Sequence, residues 1–330
     1  MYPPCRSEPM ARHATARGAA FAALLVTLSS GCAVDPEPRH VPEWRPISPA
    51  AEVGRVVLQP KYRVVHLRAR SLGATLAGSL FMPDGVGPFP AVVWVHGSGP
   101  RERLAYGALH VEDFIRRGIA VYSYDKRGVG ESNGACCPVH FDLLARDVLA
   151  SVDALRALSA VDPDRIGLLG VSQAGWVVPI AASLDPRLAF TIVLSGPAVT
   201  VGEESLFSSL TRDWLCGHGG EPVAAADELV REVGPSGFDP RPYLERMRQP
   251  SLWVYGLADI HQPSDRSVAV LEELRAEGRD IEIRTFPTAN HFLATGGPCG
   301  DLPIVDWLPA ALDWLEARLP AAQPARVSAR

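Results

Sequence analysis

The chain has 330 residues, 47% of them hydrophobic and 21% charged, and a formal net charge of −5 at pH 7. That length and apolar share suffice for one large domain with a substantial core. The acidic balance argues against nucleic acid or an anionic membrane surface as a partner, the more so once residues 1–31, whose three arginines outweigh Glu8, are set aside.

Residues 1–32 read as a secretory signal. A basic start (Arg12, Arg17) precedes an apolar run over 18–28, which is too short to cross a bilayer. Met10 is an alternative start. The small residues Ser29, Ser30 and Gly31 before Cys32 match a bacterial lipoprotein signal, in which the lipidated cysteine attaches the chain to a membrane. Ser29 stands three residues before Cys32, where leucine is usual, and plain cleavage near the same point is the alternative. The expectation is export, either to the cell envelope or into the medium. Residues 33–54, with Pro36, Pro38, Pro42, Pro46 and Pro49, read as an extended tether. Residues 55–320 are expected to form the folded domain and 321–330 a flexible tail.

Residues 56–70 and 75–82 predict an opening antiparallel pair, interrupted near Gly73. Arg63, Arg68 and Arg70 alternate with apolar residues and are assigned to the exposed face of an edge strand. The stretch 91–95 is continuously apolar, as a buried parallel strand should be. A helix over 111–117 stops at Gly118, and 119–124 is the next strand. Leu144, Val148, Val152 and Leu155 mark one buried face of a helix over 141–158. A strand over 165–171 delivers Ser172, and the helix after it contains Pro179, for which the sequence offers no account beyond a kink. Strands over 191–194, 252–255 and 281–285 and a closing helix over 305–318 complete the pattern. Such alternation specifies an α/β fold with a mostly parallel sheet covered on both faces. It lapses over 197–249, which reads as a helical cap insertion; a peripheral excursion is the alternative.

Cys136, Cys137, Cys216 and Cys299 lie beyond Cys32, an even number that permits two disulfides in an exported chain. A bond within the adjacent pair would close a strained ring, so Cys136 and Cys137 are expected to bond outward to Cys216 and Cys299. Zinc is the rival, but no nearby His-x-x-x-His or second cysteine pair supports it.

The chemistry concentrates in Gly170-Val171-Ser172-Gln173-Ala174-Gly175. An apolar strand turns abruptly into a helix, the layout of a nucleophile elbow that projects a serine hydroxyl. Ala174 replaces the last glycine of the strict motif and is small enough to keep the turn. A serine presented in this way needs a base and an orienting acid, in the chain order Ser, Asp or Glu, His. Asp259 in Tyr-Gly-Leu-Ala-Asp and His291 in Thr-Ala-Asn-His-Phe-Leu follow late strands at the same sheet edge as Ser172. Asp265 is the alternative acid, with helix capping as its simpler role. His261 is the alternative base, although it sits two residues from Asp259 and reads more simply as a surface or pocket-lining residue. The loop His96-Gly97-Ser98-Gly99-Pro100 after a strand suits an oxyanion site whose backbone donors are Ser98 and Gln173. His96 is expected to brace that loop. Trp176, Trp214 and Trp253 are candidates for an apolar acyl pocket, with core packing as the simpler reading.

Taken in order, His-Gly-Ser-Gly-Pro (96–100), Tyr-Asp-Lys-Arg-Gly-Val-Gly-Glu-Ser (124–132), Gly-Val-Ser-Gln-Ala-Gly-Trp (170–176), the Gly-Leu-Ala-Asp loop and the Asn-His-Phe loop span most of residues 75–315. In these pieces the chain resembles α/β-hydrolase-fold enzymes of the dienelactone-hydrolase and prolyl-oligopeptidase-like bacterial esterase group. The resemblance implies hydrolysis of a small-molecule ester through an acyl-serine, with no metal and no organic cofactor. It implies only a structural, loop-bracing role for Asp125, Lys126, Arg127 and Gly128. A short-peptide or amide hydrolase with the same triad is the alternative, made less attractive by the lack of a propeller-like domain ahead of it. A noncatalytic binding protein on this scaffold is the alternative of another class. Dehalogenase and epoxide-hydrolase chemistry would need an aspartate where Ser172 stands.

Overall fold

The computed structural model describes residues 51–58, 62–103, 110–136 and 140–319. The expected signal, Cys32, most of the tether, Cys137 and the tail lie outside the described residues. Among the described residues, nine strands form one sheet: β1 (Ala51–Leu58), β2 (Arg63–Ser71), β3 (Ala74–Met82), β4 (Phe89–Val95), β5 (Ala120–Tyr124), β6 (Val161–Val171), β7 (Thr191–Leu194), β8 (Ser251–Gly256) and β9 (Ile281–Phe286). Their order is β1-β2-β3-β5-β4-β6-β7-β8-β9. Pairing is antiparallel from β1 to β5 and parallel from there to β9. The helices of the described residues are α1 (Val111–Arg116), α2 (Phe141–Arg156), α3 (Ala174–Leu184), α4 (Val201–Thr211), α5 (Val223–Val233), α6 (Arg241–Leu244), α7 (Ser264–Ala276) and α8 (Trp307–Arg318).

The opening differs from the sequence expectation. Residues 56–70 are not one strand but parts of β1 and β2, and β1 starts at Ala51, inside the stretch assigned to the tether. β2 lies between β1 and β3, so it is not an edge strand. Arg68 and Arg70 are exposed as expected, whereas Arg63 is buried. Its Nη2 donates to the carbonyls of Pro83 (2.8 Å) and Gly85, and these loop acceptors offset the loss of water around the guanidinium.

Strand side chains alternate between two cores. Along β4, Ala91, Val93 and Val95 join the core beneath α2, α3 and α7. Val92 and Trp94 join the opposite core beneath α1 and α8. Pro179 sits inside α3, where it removes a hydrogen bond to the carbonyl of Gly175. Every residue from Ala174 to Ala182 is buried, and that packing outweighs the roughly 3 kcal/mol a proline costs a helix interior. Trp176 and Trp253 are core residues, while Trp214 is exposed.

The segment between β7 and β8 holds α4, a 3-10 turn at Asp213–Leu215, α5 and α6. α4 starts with a reciprocal cap in which Thr200 Oγ1 accepts from the Glu203 N–H and the Glu203 carboxylate accepts from the Thr200 N–H. Phe207, Ala226 and Val230 give the segment a small core of its own. Cys216 in this segment is bonded to Cys299, not to the Cys136–Cys137 pair. The expected outward pairing is therefore wrong: the fold brings Cys216 and Cys299 within 5.5 Å, Cα to Cα, across 83 residues of sequence. Cys136 is disulfide-bonded as well. Among the described residues no helix is long and apolar enough to span a membrane.

Candidate active site

The chain leaves β4 for β5 on one side and then crosses to β6 on the other, so a crevice opens where the loops after β4 and β6 diverge. Parallel register sets Val95 beside Gly170. Two residues further on, Gly97 faces Ser172, so closely that a Cβ on Gly97 would lie 3.2 Å from the Cβ of Ser172. Ser172 has φ +54°, a left-handed conformation that is costly for a residue with a side chain. The turn holds because its neighbours leave room. A Cβ at Gly170 would meet the Cβ of Ala174 at 2.5 Å, and one at Gly175 would meet the backbone of Gly196 and Pro197 at 2.5 Å. Position 174 therefore tolerates alanine, since the methyl fills the space that Gly170 leaves open.

Asp259 and His291 arrive from adjacent parallel strands. Gly256 ends β8 where a Cβ would lie 2.2 Å from the Ala289 carbonyl, so only glycine lets the two loops close on each other. The Ala258 N–H donates to that same carbonyl at 2.9 Å. Asn290, buried and not singled out in the sequence, clamps the turn that carries His291. Its Oδ1 accepts from the Phe292 and Ala294 N–H groups, and its Nδ2 donates to the Gly300 carbonyl at 2.7 Å. The Ser172 Oγ lies 3.0 Å from His291 Nε2, and His291 Nδ1 lies 2.8 Å from Asp259 Oδ2. The other carboxylate oxygen, Oδ1, accepts from the N–H groups of His261 (2.7 Å) and Gln262 (3.3 Å). Three residues separated by up to 119 positions in the chain thus form one hydrogen-bonded line.

The two alternatives fall elsewhere. Asp265 is exposed in the first turn of α7. The ring of His261 packs 4.6 Å from that of His291, and its Nδ1 is 3.0 Å from Asp213 Oδ2 in the inserted segment. It therefore borders the line without belonging to it. The inserted segment also reaches the Asp259 loop through Thr211, whose Oγ1 donates to the Ile260 carbonyl at 2.5 Å.

Electrostatics follow from this crowding. Burial pulls the His291 imidazole down, but the Asp259 carboxylate, aided by Glu204 and Asp213, prevails and holds it above its ordinary value. Burial pushes the Glu204 carboxyl up to about 7, and His291 opposes that rise. Burial, and then the neighbouring His291, lower His261.

The loop expected to carry Ser98 as a donor lies beside Ser172, and Gln173 precedes the first turn of α3. His96 is buried, and its Nε2–H donates to the Tyr124 carbonyl at 2.6 Å. Burial lowers it to about 4, so the neutral ring ties the end of β4 to the end of β5, as a brace. Lys126 Nζ donates to the Gly97 carbonyl at 2.8 Å and to Gln173 Oε1 at 3.2 Å. Asp125 braces the same corner: its Oδ1 accepts from the Arg103 N–H, its Oδ2 accepts from the Glu131 N–H, and the Arg103 guanidinium pairs with it. Among the described residues, no group of three or more His, Cys, Asp or Glu is arranged to hold a metal ion.

Known proteins match this chain over much of its length. The serine aminopeptidase S33 family model matches residues 87–217, from the approach to β4 through the elbow into the inserted segment. The chain is 27% identical over 252 residues to esterase EstD of Thermotoga maritima, which covers 67% of this chain and 58% of that one. It is 32% identical over 235 residues to 2,6-dihydropseudooxynicotine hydrolase of Paenarthrobacter nicotinovorans, covering 69% and 59% respectively. The chain spans about half the length of the curated relatives it matches. The acetyl xylan esterase from Paenibacillus sp. R4 superposes with a TM-score of 0.60 over 82% of this chain and 89% of that one; at 18% identity it speaks to the fold alone.

Proposed function

We propose that this chain, which is a serine hydrolase of the α/β-hydrolase fold, cleaves carboxylic esters of small molecules through an acyl-serine intermediate. The observation that carries the reading is the line from Ser172 Oγ through His291 to Asp259, at 3.0 and 2.8 Å. Ser172 Oγ attacks the ester carbonyl while His291 Nε2 accepts its proton. The Asp259 carboxylate accepts the Nδ1–H of His291, which fixes the tautomer and stabilises the imidazolium. That imidazolium protonates the departing alkoxide, and a water activated by the same ring then releases the acid. The N–H groups of Ser98 and Gln173 stabilise the oxyanion, each for roughly 3 kcal/mol of barrier.

The exposed side chain of Phe292 borders the His261–His291 stack, which supports an apolar group on the substrate. The Cys216–Cys299 disulfide supports export to an oxidising compartment, as the N-terminal segment suggests. The match to a serine aminopeptidase family model favours a second reading, cleavage of short peptides by the same residues.

Rates on a chain-length series of nitrophenyl esters, set beside a series of aminoacyl anilides, separate the two. The ester reading expects kcat/KM on the best ester to exceed that on the best anilide by more than about 10³-fold. Comparable values on the anilides would transfer the assignment to peptides.

A further inference from the structure

Lys126 follows β5 and is buried, an expensive location for an ammonium unless its hydrogens are well placed. Its ammonium donates to the Gly97 carbonyl and to Gln173 Oε1, and both acceptors are uncharged. Among the described residues no carboxylate lies within ion-pair distance of it. The carboxylate of Asp125 is engaged by Arg103, and that of Asp147 by Arg127. A positive charge without an ionic partner among the described residues therefore stands behind the loop that faces Ser172.

The choice of acceptors gives that charge a use. The Gly97 carbonyl and the Ser98 N–H are the two ends of one planar, trans peptide unit, so they point in opposite directions. An ammonium held on the carbonyl fixes where the N–H points and polarises it toward stronger donation. The second acceptor belongs to Gln173, the other residue expected to donate to the oxyanion. We propose that Lys126 is a positioning residue for the oxyanion site, its ammonium locking the Gly97–Ser98 peptide to Gln173 and favouring the negative charge that develops on the substrate carbonyl. This inference rests on the acyl-serine reading given above.

Negative charge appears on the oxyanion only as the reaction proceeds, so the contribution falls on kcat and not on KM. Burial, with Arg101 from the loop after β4 adding to it, lowers the Lys126 ammonium to about 8, against an opposing pull from Asp147 on α2. The other ionisable groups at this corner are His96, kept neutral by burial, and the mutually paired Asp125 and Arg103. Loss of the Lys126 proton then lowers kcat in mildly alkaline solution, as an alkaline limb separate from the acid limb set by protonation of His291.

The test is steady-state hydrolysis of a nitrophenyl ester by the full chain from about pH 6 to about pH 10. Wild-type kcat is expected to fall above about pH 8. Lys126→Met should lower kcat about 10- to 100-fold with KM within about twofold, and should abolish the alkaline fall. Lys126→Arg should recover much of kcat and also lack the alkaline fall, because a guanidinium keeps its proton. A folded Lys126→Met enzyme whose kcat and alkaline limb match wild type overturns the inference. If that variant does not fold, a wild-type kcat that stays flat to about pH 10 overturns it instead. Fluorophosphonate labelling of Ser172 in wild type and in Lys126→Met keeps the two readings distinct: absence of labelling in wild type sinks the acyl-serine reading itself.

Discussion

Replacing Asp259 with asparagine probes the relay at its most constrained point. Asp259 Oδ1 accepts from two backbone N–H groups, those of His261 and Gln262. An asparagine must therefore place its carbonyl oxygen at that position, because an NH₂ group there would face two donors. The amide NH₂ is then forced to the Oδ2 position, 2.8 Å from His291 Nδ1. A donor at that point makes Nδ1 an acceptor and moves the ring proton to Nε2, the nitrogen that must take the proton of Ser172. The structure thus predicts a base held in the wrong tautomer, in an otherwise intact site. Loss of the orienting carboxylate in this manner costs about 10⁴-fold, or about 5.4 kcal/mol of barrier at about 1.36 kcal/mol per decade. The assay is kcat/KM on a short nitrophenyl ester, with Asp265→Asn as control, since Asp265 is exposed on α7 and should stay within about twofold of wild type. Asp259→Asn activity within tenfold of wild type, or a larger loss at Asp265, would refute the reasoning.

Other consequences are open to equally direct measurement. His291 must be neutral to accept a proton and is held above the ordinary imidazole value of about 6.5, so kcat/KM should fall as pH drops through a midpoint above that value. Glu204→Gln removes a negative charge that favours the imidazolium, so a pH–rate profile should show the acid limb moving to lower pH; an unchanged or higher midpoint contradicts the coupling. Cys216→Ser opens a disulfide that spans 83 residues, worth about 4.5 kcal/mol in chain entropy, and should lower Tm by roughly 5–10 °C in a calorimetric scan. It should also lower kcat several-fold, because Asp213, which holds His261 against His291, lies three residues from Cys216.

What the sequence made legible follows from how local each signal is. The elbow is a run of contiguous residues whose small side chains answer to one turn, and Asp259 and His291 each follow an apolar strand whose direction is set by parallel alternation. The glycine-rich loop after β4 is read in the same way, from an apolar strand running into glycines. Less was legible where the determinant is contact between distant segments. Nothing near Cys216 or Cys299 in the chain announces the other, and the strain of a vicinal ring pointed the pairing the wrong way. β1 gains its partners only by addition to β2, so its first residues resembled the proline-rich stretch before them. Arg63 followed the polar–apolar rhythm of an exposed face, yet its guanidinium turns inward to loop carbonyls. Asn290 stood beside His291 in a quoted motif, but its role as a clamp depends on carbonyls up to ten residues away. Lys126 was legible as a brace; which peptide it braces emerges only from the register that sets β4 beside β6.

Transfer of an acyl group to one hydroxyl is the step on which all else depends, and rapid quenching during turnover of a slowly released ester, followed by peptide mass mapping, reads it directly. The expected result is the mass of the acyl group on the peptide that contains Ser172, with no adduct and no turnover in Ser172→Ala. Turnover that persists in Ser172→Ala, or an acyl group found on a different residue, would contradict it.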